Sequence, residues 1–382
     1  MMTTIEQALK QTCRLHPSPQ YIEDIHANTL LKTLCAKHHL TLVPVYSTKL
    51  YPKILTLDES QYLIWDNHFW NLYQHYLHII ETSIQSDIPN TILEKNALSL
   101  TYIALANVTD KYPSLSLAVT LIYKHEIGDI FTYNEKFFST RCCETPEIVF
   151  ILSQIYVLSH ELIHKKIKDS AGLYENQINE FIKNYKISDL PPVRSLDDQI
   201  LFDTFTELHR AINAKNTNVF EELYCDLHAA LETMEAAKKM LDRSFPINKI
   251  LYIVLNIVNQ TNYYQSWIKQ LEEAWNIIYR KWRKVSSEKY FKLSFDDGPP
   301  TSYTEASIRT SFSCLILSNY LTKTYNIRQN ISLMKTDVFD RVSKHILNHS
   351  SVLEILNTEK KIRQNYSDHD ARKMRDNLLC WK

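Results

Sequence analysis

Glycine is almost missing from this chain, with three in 382 residues. So little glycine leaves few sites for tight hairpins, left-handed helix caps or loops in which backbone approaches a phosphate, and neither a G-x-G-x-x-G nor a Walker-type sequence occurs. That speaks against nucleotide chemistry and favours a mostly helical architecture. Net charge is missing too: 43 Lys plus Arg face 43 Asp plus Glu, so no overall field draws the chain to nucleic acid or anionic membranes. The longest apolar runs, such as 250–258, fall far below the roughly 18 to 20 residues that span a bilayer, and the first residues lack the basic and apolar segments of a signal peptide. The seven cysteines are scattered without C-x-x-C spacing. They read as reduced thiols, and a cytoplasmic location is expected.

What is present is an ordinary globular composition, 45% apolar and 23% charged, in a chain long enough for one large domain or two smaller ones. The expected fold class is α+β and predominantly helical. Helical patterning over 4–40, broken at Pro17 and Pro19, leads to three β-rich runs at 42–46, 53–57 and 61–65, separated by turn residues and read as a small antiparallel meander. From 67 to about 129 the pattern is helical, with Phe69, Tyr73 and Tyr76 forming an aromatic stripe that reads as core. Thr145-Pro146-Glu147 then supplies a cap, a first-turn proline and an acidic residue for a helix running to about 168, where Lys165, Lys166 and Lys168 suit its negative end. Further helices are expected at 177–185, 197–215, 218–243 and 248–285. The serine, aspartate, glycine and proline loop at 294–303 divides an expected domain over 1–293 from a helical C-terminal extension over 304–382.

The chemistry concentrates at H-E-L-I-H over 160–164. Positions i and i+4 of a helix share a face, so His160 and His164 can direct imidazole nitrogens at one zinc while Glu161 stands beside them as general base. The preceding run from Ile148 is apolar nearly all round, which makes this polar turn a costly insertion into a buried helix unless something compensates it. One zinc ion per chain is that compensation, and it needs a third ligand. A metzincin continuation fails, because Ile167 and Ser170 stand where glycine and histidine are required. Downstream, Glu222 precedes Asp226 by one helical turn. Glu222 is the expected ligand and Asp226 the group that orients a ligand histidine through its second ring nitrogen. Glu221 is the nearest rival.

H-E-L-I-H followed 58 residues later by Glu222-Leu-Tyr-Cys-Asp226 resembles the gluzincin metallopeptidases, in particular the HtpX and CAAX-protease type, the ImmA/IrrE type and the phage-exclusion protease Lit. The resemblance covers about 41–235. It implies a minimal gluzincin core, a sheet edge that aligns extended substrate by backbone pairing, and an intracellular endopeptidase acting on protein or peptide. The absence of membrane spans brings the chain nearer the Lit type, hence a phage-defence or toxin-like role. The HtpX-like group also carries a later H-P-P segment followed by an arginine, both of which help stabilise the tetrahedral intermediate. Here Gly298-Pro299-Pro300 and then Arg309 occupy that region, with glycine in place of the histidine. The resemblance implies Arg309 as a contributor, and Tyr303 is a second candidate donor. The missing histidine also motivates an alternative, a catalytically silent peptidase fold that binds a partner.

Other polar groups read as structural. Cys35 with His38 and His39 is half a zinc knuckle without a second half, and His125-Glu126 lacks the second histidine. His228 is turned about 200° around its helix from Asp226. The basic C-terminal residues Arg372, Lys373 and Arg375 are interleaved with Asp368, Asp370 and Asp376 and read as a solvated helix.

Overall fold

The structure is a computed structural model that describes residues 29–45, 52–57, 59–83, 90–127, 146–169, 176, 206, 217–241, 245–284, 309 and 337–379. Among these, one small sheet accompanies ten helices. Helix α1 (Thr29–Lys37) leads into strand β1 (Leu40–Val45), followed by β2 (Lys53–Leu57) and β3 (Ser60–Asp66). The turn from α1 to β1 uses His39 at φ 55°, a left-handed position that glycine usually fills and that this glycine-poor chain gives to a histidine.

The fold class is predominantly helical α+β, as expected, but the sheet is not an antiparallel meander. Its order is β1-β3-β2: β2 pairs with β3 antiparallel, while β1 pairs with β3 in parallel from Leu40 opposite Gln61 to Val45 opposite Asp66. Short β-rich runs fix the presence of strands but not the direction in which the first returns, because that depends on the path of the connection after Val45. Pro44, which lacks an N–H, sits in the edge strand β1, where a missing donor is tolerated.

Three helices follow the sheet: α2 (Asn67–Ser83), α3 (Asn90–Val108) and α4 (Pro113–Ile127). Asp66 closes β3 and opens α2, its Oδ1 accepting the N–H of His68 at 3.0 Å. The aromatic stripe of α2 is fully buried. It packs against Tyr264 and Trp267 of the long helix α7 (Ile247–Trp282) and Phe339 of α8 (Asp337–Ile346), with Tyr76 to Phe339 ring centroids 4.8 Å apart and Tyr76 to Tyr264 5.1 Å. Buried phenols need partners. Tyr73 Oη lies 2.8 Å from Thr261 Oγ1, and Tyr76 donates to Gln260 Oε1 at 3.2 Å. These contacts serve two of the four consecutive polar residues, Asn259 to Asn262, that lie buried in α7.

The motif helix α5 (Pro146–Asp169) and helix α6 (Thr217–Met240) lie against each other and against α7, and edge strand β2 also touches α5. Helices α9 (His349–Asn365) and α10 (Asp368–Leu378) pack on α4 and share one continuous hydrophobic core with the earlier helices. The C-terminal helix is not simply a solvated one. Arg375 is 2% exposed, donates through Nε to Asp376 Oδ1 at 2.8 Å, and pairs with Asp110 at the α3–α4 turn. The charge alternation along α10 does not reveal this, since the partner Asp110 lies 265 residues away. The helices expected at 177–185 and 197–215, and the loop at 294–303, lie outside the described residues.

No helix among the described residues is long and apolar enough to cross a membrane.

Candidate metal centre

Helix α5 brings its apolar run, Leu152 to Leu158, into the core, and this fixes the rotation of the turn that follows. Each fully buried aliphatic or aromatic side chain contributes roughly 1.5 to 3 kcal/mol, so the run as a whole outweighs the cost of carrying a polar turn inward. His160, one helical step later, is therefore buried, and His164 stands one turn on.

Helix α6 faces them with four consecutive-turn groups: Glu221, Glu222, Cys225 and Asp226. Nε2 of His160 and Nε2 of His164 are 3.0 Å apart. Glu222 places Oε2 at 3.3 Å from the first and Oε1 at 3.3 Å from the second. The opposite ring nitrogens meet other carboxylates: His164 Nδ1 lies 2.8 Å from Glu221 Oε1, and His160 Nδ1 lies 2.9 Å from Asp226 Oδ1. The His160 contact is close but poorly aligned for a hydrogen bond, since the same Nδ1 has no partner by hydrogen-bond geometry. Even so, both Nδ1 atoms are next to negative charge, so in the neutral rings they would carry the proton and turn the two Nε2 lone pairs toward one point beside Glu222.

The donor spacing fits zinc. A tetrahedral ion with spokes of roughly 2.0 to 2.1 Å has ligand-to-ligand edges of about 3.3 Å; the two Nε2 atoms here are 3.0 Å apart, and each has its own oxygen of Glu222 at 3.3 Å. A fourth donor stands nearby: Cys225 Sγ and one nitrogen each of His160 and His164 all lie within 4.8 Å of one another. Cys225 is fully buried and packs against Ile163 and Ile167. Burial, together with Asp226 and Glu222, raises its thiol far above the ordinary value, so without a cation it is a neutral, apolar filler.

Asp226 is the hub of the supporting groups. It is wholly buried, a position a carboxylate occupies only when paired. Arg309 meets it with Nε to Oδ2 and Nη2 to Oδ1, both 2.8 Å, and reaches Glu222 Oε2 through Nη1 at 2.8 Å. Tyr156, one turn before His160, donates its hydroxyl proton to Asp226 Oδ1 at 2.8 Å. Asn262 Oδ1 also lies 3.3 Å from the phenolic oxygen, whose single proton goes to the shorter contact with Asp226.

The electrostatics follow. Burial alone would keep His160 neutral, but the carboxylates of Asp226 and Glu222 outweigh it and lift the imidazole to about 9. His164 shifts upward too, burial again being overcome by Glu222 and Glu221. Glu222 and Asp226 are both held far below the carboxylate range, where burial is overcome by Arg309 and the imidazoles. Glu161 goes the other way: burial raises its carboxyl above the ordinary value against the pull of His160 and His164. The carboxylates that favour protons on the two histidines would also attract a divalent cation, which would have to displace those protons.

Of the residues expected from sequence, His160, Glu161, His164, Glu222, Asp226 and Arg309 are gathered in one place, and Tyr303 lies outside the described residues. Glu221, a rival ligand by sequence, instead faces the outer nitrogen of His164. Tyr156 and Asn262 were not anticipated. Tyr156 had a signal, being four residues before His160 on the same face; Asn262 had none, because only the packing of α7 brings it there. Comparison of the chain with family models, curated proteins and solved structures gives no match. The site therefore stands on its own geometry.

Proposed function

We propose that the chain is a zinc-dependent endopeptidase of the gluzincin kind, with zinc held by His160, His164 and Glu222. The observation that carries this reading is the pair of imidazoles whose Nε2 atoms converge at 3.0 Å while each Nδ1 is met by a separate carboxylate. A structural core has no need of that arrangement. A zinc ion at this point supplies Lewis acidity and acidifies a water molecule.

The chain's own residues do the rest. Glu161, with its raised carboxyl, accepts the proton of the attacking water and passes it to the departing amine. Strand β2, which adjoins α5 and is an edge strand among the described residues, offers its outer backbone to an extended peptide. Arg309 has its guanidinium engaged by Asp226 and Glu222, so it fixes the third ligand and its support. The role of oxyanion donor then falls to Tyr303. The free Cys35 and Cys225 accord with a reducing, cytoplasmic setting, and the phage-defence or toxin-like role rests on the resemblance to Lit.

The test compares wild type with Glu161→Gln on a library of peptides, reading new termini by mass spectrometry and zinc by elemental analysis. Zinc near one per chain in both, with cleavage only in the wild type, supports the proposal. Zinc far below one per chain, or the same cleavage in both, sinks it.

Cys225 favours a second reading. If its thiolate closes the fourth position, the zinc is saturated and the fold is a silent, partner-binding one. Cobalt substitution separates the two. A thiolate-to-cobalt charge-transfer band that disappears in Cys225→Ala indicates the closed site, and its absence in the wild type indicates the open one.

A further inference from the structure

A second site lies apart from the metal centre and shares no residue with it. Four elements end at one cleft of 440 Å³: the start of α4, the end of α7, the end of α9 and the start of α10. Its lining is strongly cationic, with Lys111, Arg280, Arg283, Lys284 and Arg363 against the single carboxylate of Asp368. This stands out in a chain whose total charge is zero.

Basic residues at a helix end often do no more than offset its dipole, and Arg280 and Lys281 in the last turn of α7 do that. Two observations go further. First, Lys111 and Arg363 come from other elements and open onto the same space. Lys111 is 3.6 Å from Glu272 and Arg363 is 3.3 Å from Glu359, but among the described residues no carboxylate pairs with Arg280, Arg283 or Lys284. Second, Ser114 lines the cleft at the first turn of α4, is 4% exposed, and its Oγ has no hydrogen-bond partner. The carbonyl of Tyr112 takes the N–H groups of Leu115 and Ser116. A buried hydroxyl left over at the positive end of a helix, facing concentrated cations, is short of an anionic acceptor.

We propose that this cleft binds a small phosphate-bearing ligand of nucleoside-polyphosphate size. The volume suits such a molecule. Arg280, Arg283 and Lys284 take the phosphates, as guanidinium forks and an ammonium do. Ser114 donates its hydroxyl to a phosphate oxygen. The ring of Tyr112 is already engaged, with Lys111 over it at 5.4 Å and the Tyr279 ring centroid 4.4 Å away, so it serves as a wall of the cleft. The lack of a glycine loop is no obstacle, because the donors here are side chains and the cleft binds without catalysing phosphoryl transfer.

The experiment is calorimetric titration of the full chain with ATP and with inorganic pyrophosphate, using wild type, Ser114→Ala and the triple variant Arg280→Gln/Arg283→Gln/Lys284→Gln. Wild type should bind both probes one to one. The triple variant should bind both at least tenfold more weakly, and Ser114→Ala severalfold more weakly. The altered cations are exposed on the surface, and unchanged thermal melting of the triple variant checks that it folds. No saturable binding by wild type overturns the proposal. So does equal affinity in wild type and a folded triple variant, which would place the phosphates elsewhere, the metal centre included.

Discussion

Arg309 and Asp226, 83 residues apart in sequence, meet through two parallel hydrogen bonds of 2.8 Å in a place where both are shut away from water. The pair is the keystone of the candidate metal centre. Asp226 faces His160 on one side, and Arg309 reaches Glu222 on the other.

Removing the cation from that pair leaves a buried carboxylate without its partner. Arg309→Met is expected to lower stability by about 3 to 5 kcal/mol, the cost of an uncompensated buried charge. Arg309→Lys should recover only part of it, because an ammonium cannot make both parallel bonds. Urea unfolding of the two variants checks this. The double variant Arg309→Met/Asp226→Asn should be less destabilised than the sum of the single ones, since it removes the orphaned charge as well.

The groups behind the ligands should matter almost as much as the ligands. Glu221→Gln removes the negative charge beside His164 Nδ1 and is expected to weaken zinc binding roughly 10- to 100-fold while leaving stability nearly unchanged, since Glu221 is only partly buried. Competition with a chelating dye measures the affinity. A zinc affinity equal to wild type would remove Glu221 from the site. Tyr156→Phe should act in the same direction more weakly, because Asp226 keeps its two bonds to Arg309.

These relationships differ in how far the sequence reveals them. Two histidines and a glutamate at i, i+4 and i+1 are a local statement about one helix, and Glu222 with Asp226 is another, so both halves of the centre are legible from spacing alone. That the halves face each other is a tertiary fact which the burial pattern of α5 and α6 supports but does not dictate. Arg309 stands alone within its stretch, and only the resemblance to a later arginine in one group of peptidases singles it out. Its partners are visible only in three dimensions. The parallel pairing of β1 with β3 was hidden for a related reason: strand direction depends on a connection, and connections carry little periodicity.

Arg375 makes the same point in the C-terminal helices, where alternating charges concealed a buried cluster with Asp110 and Asp376. Arg375→Ala is expected to cost about 3 kcal/mol or more through the carboxylates it strands. Lys373, on the exposed side of the same helix, provides the contrast: Lys373→Ala should change stability by no more than about 0.5 kcal/mol. Denaturant midpoints of the two variants decide it, and similar losses in both would mean that α10 behaves as the solvated helix its sequence describes.

Helix α2 makes the fold sensitive to acid. Burial pulls His75 and His78 down to about 4, and for His78 the neighbouring imidazole of His75 acts in the same direction. In the unfolded chain both titrate near the ordinary value of about 6.5. Below that pH the unfolded chain takes up protons that the folded chain refuses, so protonation favours unfolding. The contribution of these two residues to stability is therefore complete above about 6.5 and is lost progressively as the pH falls toward 4. Unfolding free energies measured across this window should decline for the wild type and decline less steeply for His75→Gln/His78→Gln, whose side chains do not titrate. Because both residues lie on α2 and not on the helices α5 and α6 that carry the candidate metal centre, the difference in slope should persist in protein stripped of metal, and a slope identical in the two proteins would show that other groups set the acid limit.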